Sequence, residues 1–203
     1  MAAVAGLCVF AILVLGSSRN RNQSQPQETE EPVQTVAGDY FADIAVQDYG
    51  TITVALDASA APITVANFVS LAESGFYDGL TFHRIMDGFM MQGGDPTGTG
   101  SGGSEDLIEG EFTANGHENP ISHLRGTISM ARRSGDNNSA SSQFFIVQSD
   151  STFLDGQYAA FGHVTEGMDL VDRICADANP IDDNGTISPE DQPVITSVTI
   201  REA

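Results

Sequence analysis

The chain has no lysine and no tryptophan, and its eight basic residues, all arginine, stand against 28 Asp and Glu. The resulting net charge of −20 repels phosphate backbones, which argues against nucleic acid as a partner and equally against adhesion to anionic lipid through charge. Any attachment to a membrane must then be hydrophobic. Cysteine is scarce as well. Cys8 lies in an apolar N-terminal run and Cys175 among apolar residues at helical spacing, so no disulfide framework is encoded and Cys175 reads as a small buried hydrophobe. His117 and His123 flank Glu118 with no cysteine nearby, too few ligands for zinc, and read as surface histidines. No metal site is expected.

What is present divides into three parts. Residues 2–16, AAVAGLCVFAILVLG, form an uncharged run followed by Arg19 and Arg21, and residues 1–18 read as a membrane segment or signal anchor. The run is short against the roughly 20 residues that span a bilayer, and no cations precede it as in a signal sequence, so either the start lies upstream of Met1 or the segment is only marginally hydrophobic. Residues 19–36 are polar, with no aromatic side chain, and cannot bury enough apolar surface to offset the ordering of their backbone. They read as a flexible tether. Residues 37–203 carry the remaining hydrophobic content of a 203-residue chain that is 40% hydrophobic, enough for one ordinary core. The expected location is membrane-anchored with this domain on the extracytoplasmic side; the alternatives are secretion after cleavage, or a cytoplasmic face.

Within the domain, Ile44 and Val46, then Ile52, Val54 and Leu56, alternate with small or polar residues around Asp48-Tyr49-Gly50, a hairpin signature. Pro62 suits a first helical position, and Val65, Phe68, Val69 and Ala72 repeat at helical spacing until Gly75. Further strands are predicted over 80–85, 90–92, 127–130, 144–147, 159–164 and 194–200, and a second helix over 167–176. Many strands, two helices and no strand–helix–strand alternation predict a mainly β fold, a closed antiparallel barrel. The segment 93–104, GGDPTGTGSGGS, contains G-x-G-x-x-G, but SEDLIEGEF after it is acidic and not helical, so it reads as a mobile loop beside a site and not as a phosphate cradle.

The chemistry concentrates in Phe82 to Asp95, FHRIMDGFMMQGGD, where Arg84 stands alone among Phe82, Phe89, Met90 and Met91. A charge is rarely buried without a partner, so this pattern places a guanidinium either at the mouth of an apolar pocket or on a strand from which it snorkels to solvent. This stretch closely resembles a signature of the cyclophilins. Gly126 to Ile146, GTISMARRSGDNNSASSQFFI, and Phe153 to Gly162, FLDGQYAAFG, resemble two further blocks of that family, in its order, and the resemblance runs from about Tyr40 to Ile200. It implies an eight-stranded barrel capped by two helices, and peptidyl-prolyl cis-trans isomerase activity on X-Pro polypeptides, assisting protein folding with no cofactor. The alternative is a non-catalytic module of the same fold that binds Pro-containing segments.

Roles implied by the resemblance fall on named positions. Arg84 matches the catalytic arginine, and Gln92 the carboxamide that orients it and holds a substrate carbonyl. Phe89, Met90, Phe145 and Leu154 match the walls of a proline pocket; Gln143 and the backbone at Ala131 and Arg132 match the groove for residues before proline. Phe153 stands where many members have Trp, so the rim lacks an indole donor and binding of the cyclic peptide cyclosporin is expected to be weak. Tyr158 stands where many have His, and Arg132 where Asn is common, in a longer loop that alters the groove. The chain is expected to act as a monomer.

Overall fold

A computed structural model of the protein describes residues 39–202. The expected membrane segment and tether, residues 1–36, lie outside the described residues. Among those described, no helix is long and apolar enough to cross a membrane.

Eight strands, β1 (Asp39–Val46), β2 (Gly50–Asp57), β3 (Thr81–Met86), β4 (Met90–Asp95), β5 (Thr127–Met130), β6 (Phe144–Val147), β7 (Ala160–Glu166) and β8 (Ile195–Glu202), form one antiparallel sheet in the order β3-β4-β6-β5-β7-β2-β1-β8. The sheet curls until its two edge strands meet. The seam is short, a Thr81–Val194 bridge flanked by bonds from Gly79 N–H to Ile195 O, Ile195 N–H to Leu80 O and Phe82 N–H to Pro193 O. Predicted strands and observed ones agree to within a few residues; the largest extension is β4, which runs on to Asp95 through the glycine pair. In the first hairpin Asp48 adopts φ 63°, a left-handed turn position that Asp tolerates.

Helix α1 (Pro62–Glu73) packs against β8 and β2, and α2 (Met168–Asp177) against β2 and β4. Ala61 supplies no side-chain cap to α1. Its first N–H groups are satisfied from far along the chain instead: the buried Glu111 carboxylate accepts from Ile63 N–H at 3.0 Å and from Thr64 N–H and O–H at 2.8 and 2.7 Å. A negative group at this end also complements the helix dipole. The α1 stripe Val65, Phe68, Val69 and Ala72 enters the core, where Phe68 meets Tyr77, Phe144 and Phe161 at ring-centroid distances of 5.1, 5.5 and 5.3 Å. Cys175 is buried in the same core, and burial, with Asp87 and Asp172 nearby, pushes its thiol up to about 12.

Two apolar clusters result from the alternation of side chains along the strands. Met91, Phe144 and Ile146 point into the barrel core, while Met90, Phe145 and Val147 belong to a separate cluster with Leu154 on the outer face. Removal of the ring at the centre of the inner cluster should be expensive. Phe68→Ala is expected to lower unfolding free energy by about 3–5 kcal/mol, read by urea titration, with a lower midpoint and little change in slope.

Candidate active site

On the outer face, β3 and β4 pair with Arg84 opposite Gln92, so the two side chains stand side by side. Arg84 Nη1 donates to Gln92 Oε1 at 3.3 Å, Gln92 Nε2 donates to Gln143 Oε1 at 2.8 Å, and Gln143 Nε2 donates to Gly102 O at 2.7 Å. The relay runs in one direction because each amide donates onward and accepts from the other side. Arg84 Nε donates to Asn184 O at 2.7 Å. Its remaining contacts are soft: Nη2 lies 3.1 Å from Met86 Sδ and Nη1 3.9 Å from Met90 Sδ. No carboxylate pairs with it among the described residues. Burial lowers the Arg84 pKa, with Tyr158 and Asp182 opposing, and a guanidinium still stays charged.

Nine of the eleven expected site residues, Arg84, Phe89, Met90, Gln92, Ala131, Arg132, Phe145, Leu154 and Tyr158, line one hollow of about 180 Å³. Gln143 lines an adjoining hollow of about 350 Å³ that shares Gln92, Ala131 and Arg132 with the first. Phe153 does not line either. It is 66% exposed at the rim, its ring tilted against Phe89 at a centroid distance of 5.7 Å. Phe145 forms the floor, edge-on to Tyr158 at 5.8 Å. Arg132 is pinned over the Tyr158 and Phe112 rings, at 4.9 and 5.3 Å, and donates to Gln157 O. Beyond the strand end, Ala131 N–H bonds to Gln143 O, while the Ala131 carbonyl and Arg132 N–H have no backbone partner among the described residues. They can pair with an extended peptide in the manner of a sheet edge.

The structure corrects one expectation about histidine and adds residues that the motif did not name. His123 is not on the surface: it is fully buried behind Phe145, stacked at 6.0 Å, with Nδ1 2.9 Å from Asp155 Oδ1 and Nε2 3.0 Å from Ser129 Oγ. Burial lowers its pKa against the opposing pull of Asp155. His83, 4% exposed, borders a third hollow shared with Arg84 and Gln92, and burial, Asp95 opposing, lowers its pKa too. Asn184 reaches Arg84 because Asp182 accepts N–H bonds from Asn184 and Thr186, forming a turn whose Gly185 (φ 85°) sits against β3. Only its Asp-Asp-Asn-Gly composition marked that turn in the sequence.

The glycine-rich loop is built around one carboxylate. Asp95, 1% exposed, accepts N–H bonds from Thr97, Thr99, Gly100 and Gly102 and a hydroxyl bond from Thr97. Gly94 just before it holds φ 84°, and a Cβ there would lie 2.5 Å from Ser142 O, so only glycine fits. Burial opposes ionisation of Asp95, but the donors from Thr97, Gly102 and Gly100 outweigh it and hold the carboxyl below its ordinary 3.8.

Comparison with known proteins agrees with this geometry. The profile of the cyclophilin type peptidyl-prolyl cis-trans isomerase family matches residues 41–202. A peptidyl-prolyl cis-trans isomerase of Helicobacter pylori is 46% identical over 127 residues, 62% of this chain and 75% of the relative. Peptidyl-prolyl cis-trans isomerase B of Bacillus subtilis is 46% identical over 125 residues, 62% of this chain and 83% of that one. A crystal structure of a Cryptosporidium parvum cyclophilin type isomerase, in the presence of the dipeptide Ala-Pro, aligns with TM-score 0.70 and 30% identity over 80% of this chain and 99% of that chain. The chain belongs to the cyclophilin-type peptidyl-prolyl cis-trans isomerases.

The Asp95 anchor can be tested by stability. Asp95→Ala should cost about 3 kcal/mol, the scale of one or two buried donors left unsatisfied. The folded pKa lies below the unfolded one, so the carboxylate's contribution is complete above about pH 4 and is lost as pH falls through the folded value. The wild type's resistance to urea should therefore weaken on acidification below pH 4, and the variant's stability should fall less steeply there.

Proposed function

We propose that proline of an X-Pro segment enters the 180 Å³ hollow against Phe89, Met90, Phe145 and Leu154, and that Arg84 accelerates rotation about the preceding bond. The observation that carries this reading is a charged donor group at the mouth of an apolar hollow, with no carboxylate partner among the described residues and with thioether sulfurs near its terminal nitrogens. Thioethers are weak acceptors and yield readily to a carbonyl oxygen or an amine nitrogen.

Rotation about X-Pro is slow because amide resonance sets a barrier of about 18–20 kcal/mol. In the twisted state that resonance is lost, the prolyl nitrogen becomes pyramidal, and its lone pair can accept a hydrogen bond. Arg84 donates to that lone pair, an interaction the planar ground state cannot make, so it lowers the barrier and does not merely tighten binding. Arginine suits the role because it is always charged and carries no acceptor. Gln92 and Asn184 O orient the guanidinium without neutralising it; Gln92 also holds a substrate carbonyl. Residues before proline lie along Ala131 and Arg132 toward Gln143, and the apolar walls desolvate the amide, which favours the less polar twisted form. No bond breaks and no cofactor takes part.

Residues 1–18 hold the protein in a membrane through the apolar run, and residues 19–36 link that run to a monomeric domain. The domain faces the extracytoplasmic side, since two arginines are a small topological bias and long domains translocate largely regardless of charge. It assists folding of exported or surface proteins, and cyclosporin binds weakly at a rim that offers Phe153 in place of an indole N–H.

Arg84→Ala should lower kcat/KM on an X-Pro peptide by about 10²–10³-fold with an unchanged thermal midpoint, and Arg84→Lys should do nearly as badly for lack of the planar fork. Exchange spectroscopy reads the rate directly, and near wild-type exchange in either variant would remove Arg84 from the mechanism. For the anchor, deletion of residues 1–36 should yield a soluble domain with full activity on short peptides. Release of the full chain by carbonate washing would dismiss the anchor, and protection from external protease in intact cells would reverse its sidedness.

A further inference from the structure

The arginines of the described residues divide by partner. Arg125 pairs with Asp172 and Arg201 with Asp43, while Arg173 donates to Tyr49 O and lies over the Tyr49 ring. Arg173 has no carboxylate partner among the described residues, and neither do Arg84, Arg132 and Arg133. The last three border the two adjoining hollows of the site. In a chain with 28 acidic residues to eight basic ones, three unneutralised cations gathered around one groove make a local positive island on an otherwise negative surface.

The three are not equivalent. Arg84 is committed to Gln92 and Asn184 O, and Arg132 to Gln157 O, Arg133 O and two aromatic faces. Arg133 is held only at its root, where its N–H bonds to Ser139 Oγ at 2.9 Å, and its guanidinium forms no hydrogen bond among the described residues. It borders the 350 Å³ hollow beside Ser141, which is 8% exposed and whose hydroxyl also has no partner among the described residues. A Cβ at Gly103 would collide with that hydroxyl, so the loop is shaped to leave it room. Glu105, Asp106 and Asp136 stand on the flanking segments, yet none forms an ion pair with either Arg132 or Arg133. An unpartnered guanidinium on a residue that borders a hollow with a free hydroxyl is complementary to a carboxylate.

We infer that Arg133, supported by Arg132 and the Ser141 hydroxyl, is a specificity determinant that selects an acidic side chain two or three residues before the proline of the substrate. This rests on the binding mode given above, in which residues before proline run along Ala131 and Arg132. The net charge would otherwise disfavour acidic clients, and the island reverses that at the one surface where a client must dock. Because Arg133 is exposed, the selection is electrostatic and salt-sensitive, vanishing as the screening length falls to about 3 Å at 1 M salt.

The test uses the full chain and capped peptides of the form Ala-Xaa-Ala-Pro-Phe, with Xaa Glu, Gln or Lys, a Glu-Ala-Ala-Pro-Phe peptide, and a control with Glu two residues after proline. Binding is measured by NMR titration and isomerisation by exchange spectroscopy on the same samples. Glu should be favoured over Gln by about two- to fivefold in affinity and in kcat/KM at low salt, and Lys disfavoured. Arg133→Gln should bring the Glu-to-Gln ratio to about one, and Arg133→Glu should turn the preference toward Lys. Equal binding of Glu and Gln peptides, a ratio unmoved in Arg133→Gln, or a stronger preference for Glu after proline would each overturn the inference. The Glu preference in binding without exchange of any peptide would uphold it and overturn the isomerase reading instead.

Discussion

The two-residue alternation of β4 and β6 is the constraint on which both the core and the site depend. A barrel of eight strands is just wide enough for its interior to fill with side chains, so the site has to be built on the outside. Met91, Phe144 and Ile146 fill the inside, and the residues between them, Met90, Phe145 and Val147, cover the outer face that in an ordinary solvent-facing strand would be polar. The same backbone thus carries one set of side chains that holds the fold and another that lines the outer hollow. A shift of register by one residue would exchange the two sets and abolish both.

Placed on this face, Arg84 gains its properties from the kind of partner it is given. A carboxylate beside it would orient the guanidinium and also neutralise it. A backbone carbonyl and a carboxamide orient it while leaving its charge unneutralised. The carboxamide is itself held by Gln143, which is held by Gly102, in a loop folded on the buried Asp95. The position of the guanidinium therefore traces to a carboxylate eleven residues along the chain that never touches it. Asn184 does the same from the other side, through the turn organised by Asp182.

The acidity of the chain and the chemistry of the groove are separate matters. Net charge governs solubility and the long-range approach of a partner, and it decays over a screening length of about 8 Å at physiological salt. Contacts at the groove are shorter than that, so Arg84, Arg132 and Arg133 set the local charge there even on a surface whose sum is strongly negative.

What the sequence by itself determined is whatever depends on neighbours along the chain. The hairpin at Asp48, the helix begun at Pro62 and ended before Gly75, and the strand pattern all follow from local conformational preference and the spacing of apolar residues. The motif Phe82 to Asp95 was equally legible, because β3 and β4 are joined by a tight turn that brings Arg84 opposite Gln92 whatever the rest of the chain does. Only the tertiary structure decided the long-range partners. Glu111 on the α1 N-terminus, Asp155 on His123 and Asn184 O on the guanidinium are polar contacts across 32 to 100 residues, and the stacking of His123 beneath Phe145 is equally a product of the fold. Such pairings leave no periodicity in the sequence, because a single hydrogen bond fixes one residue at one point in space, and only the closure of the sheet decides which residue that is.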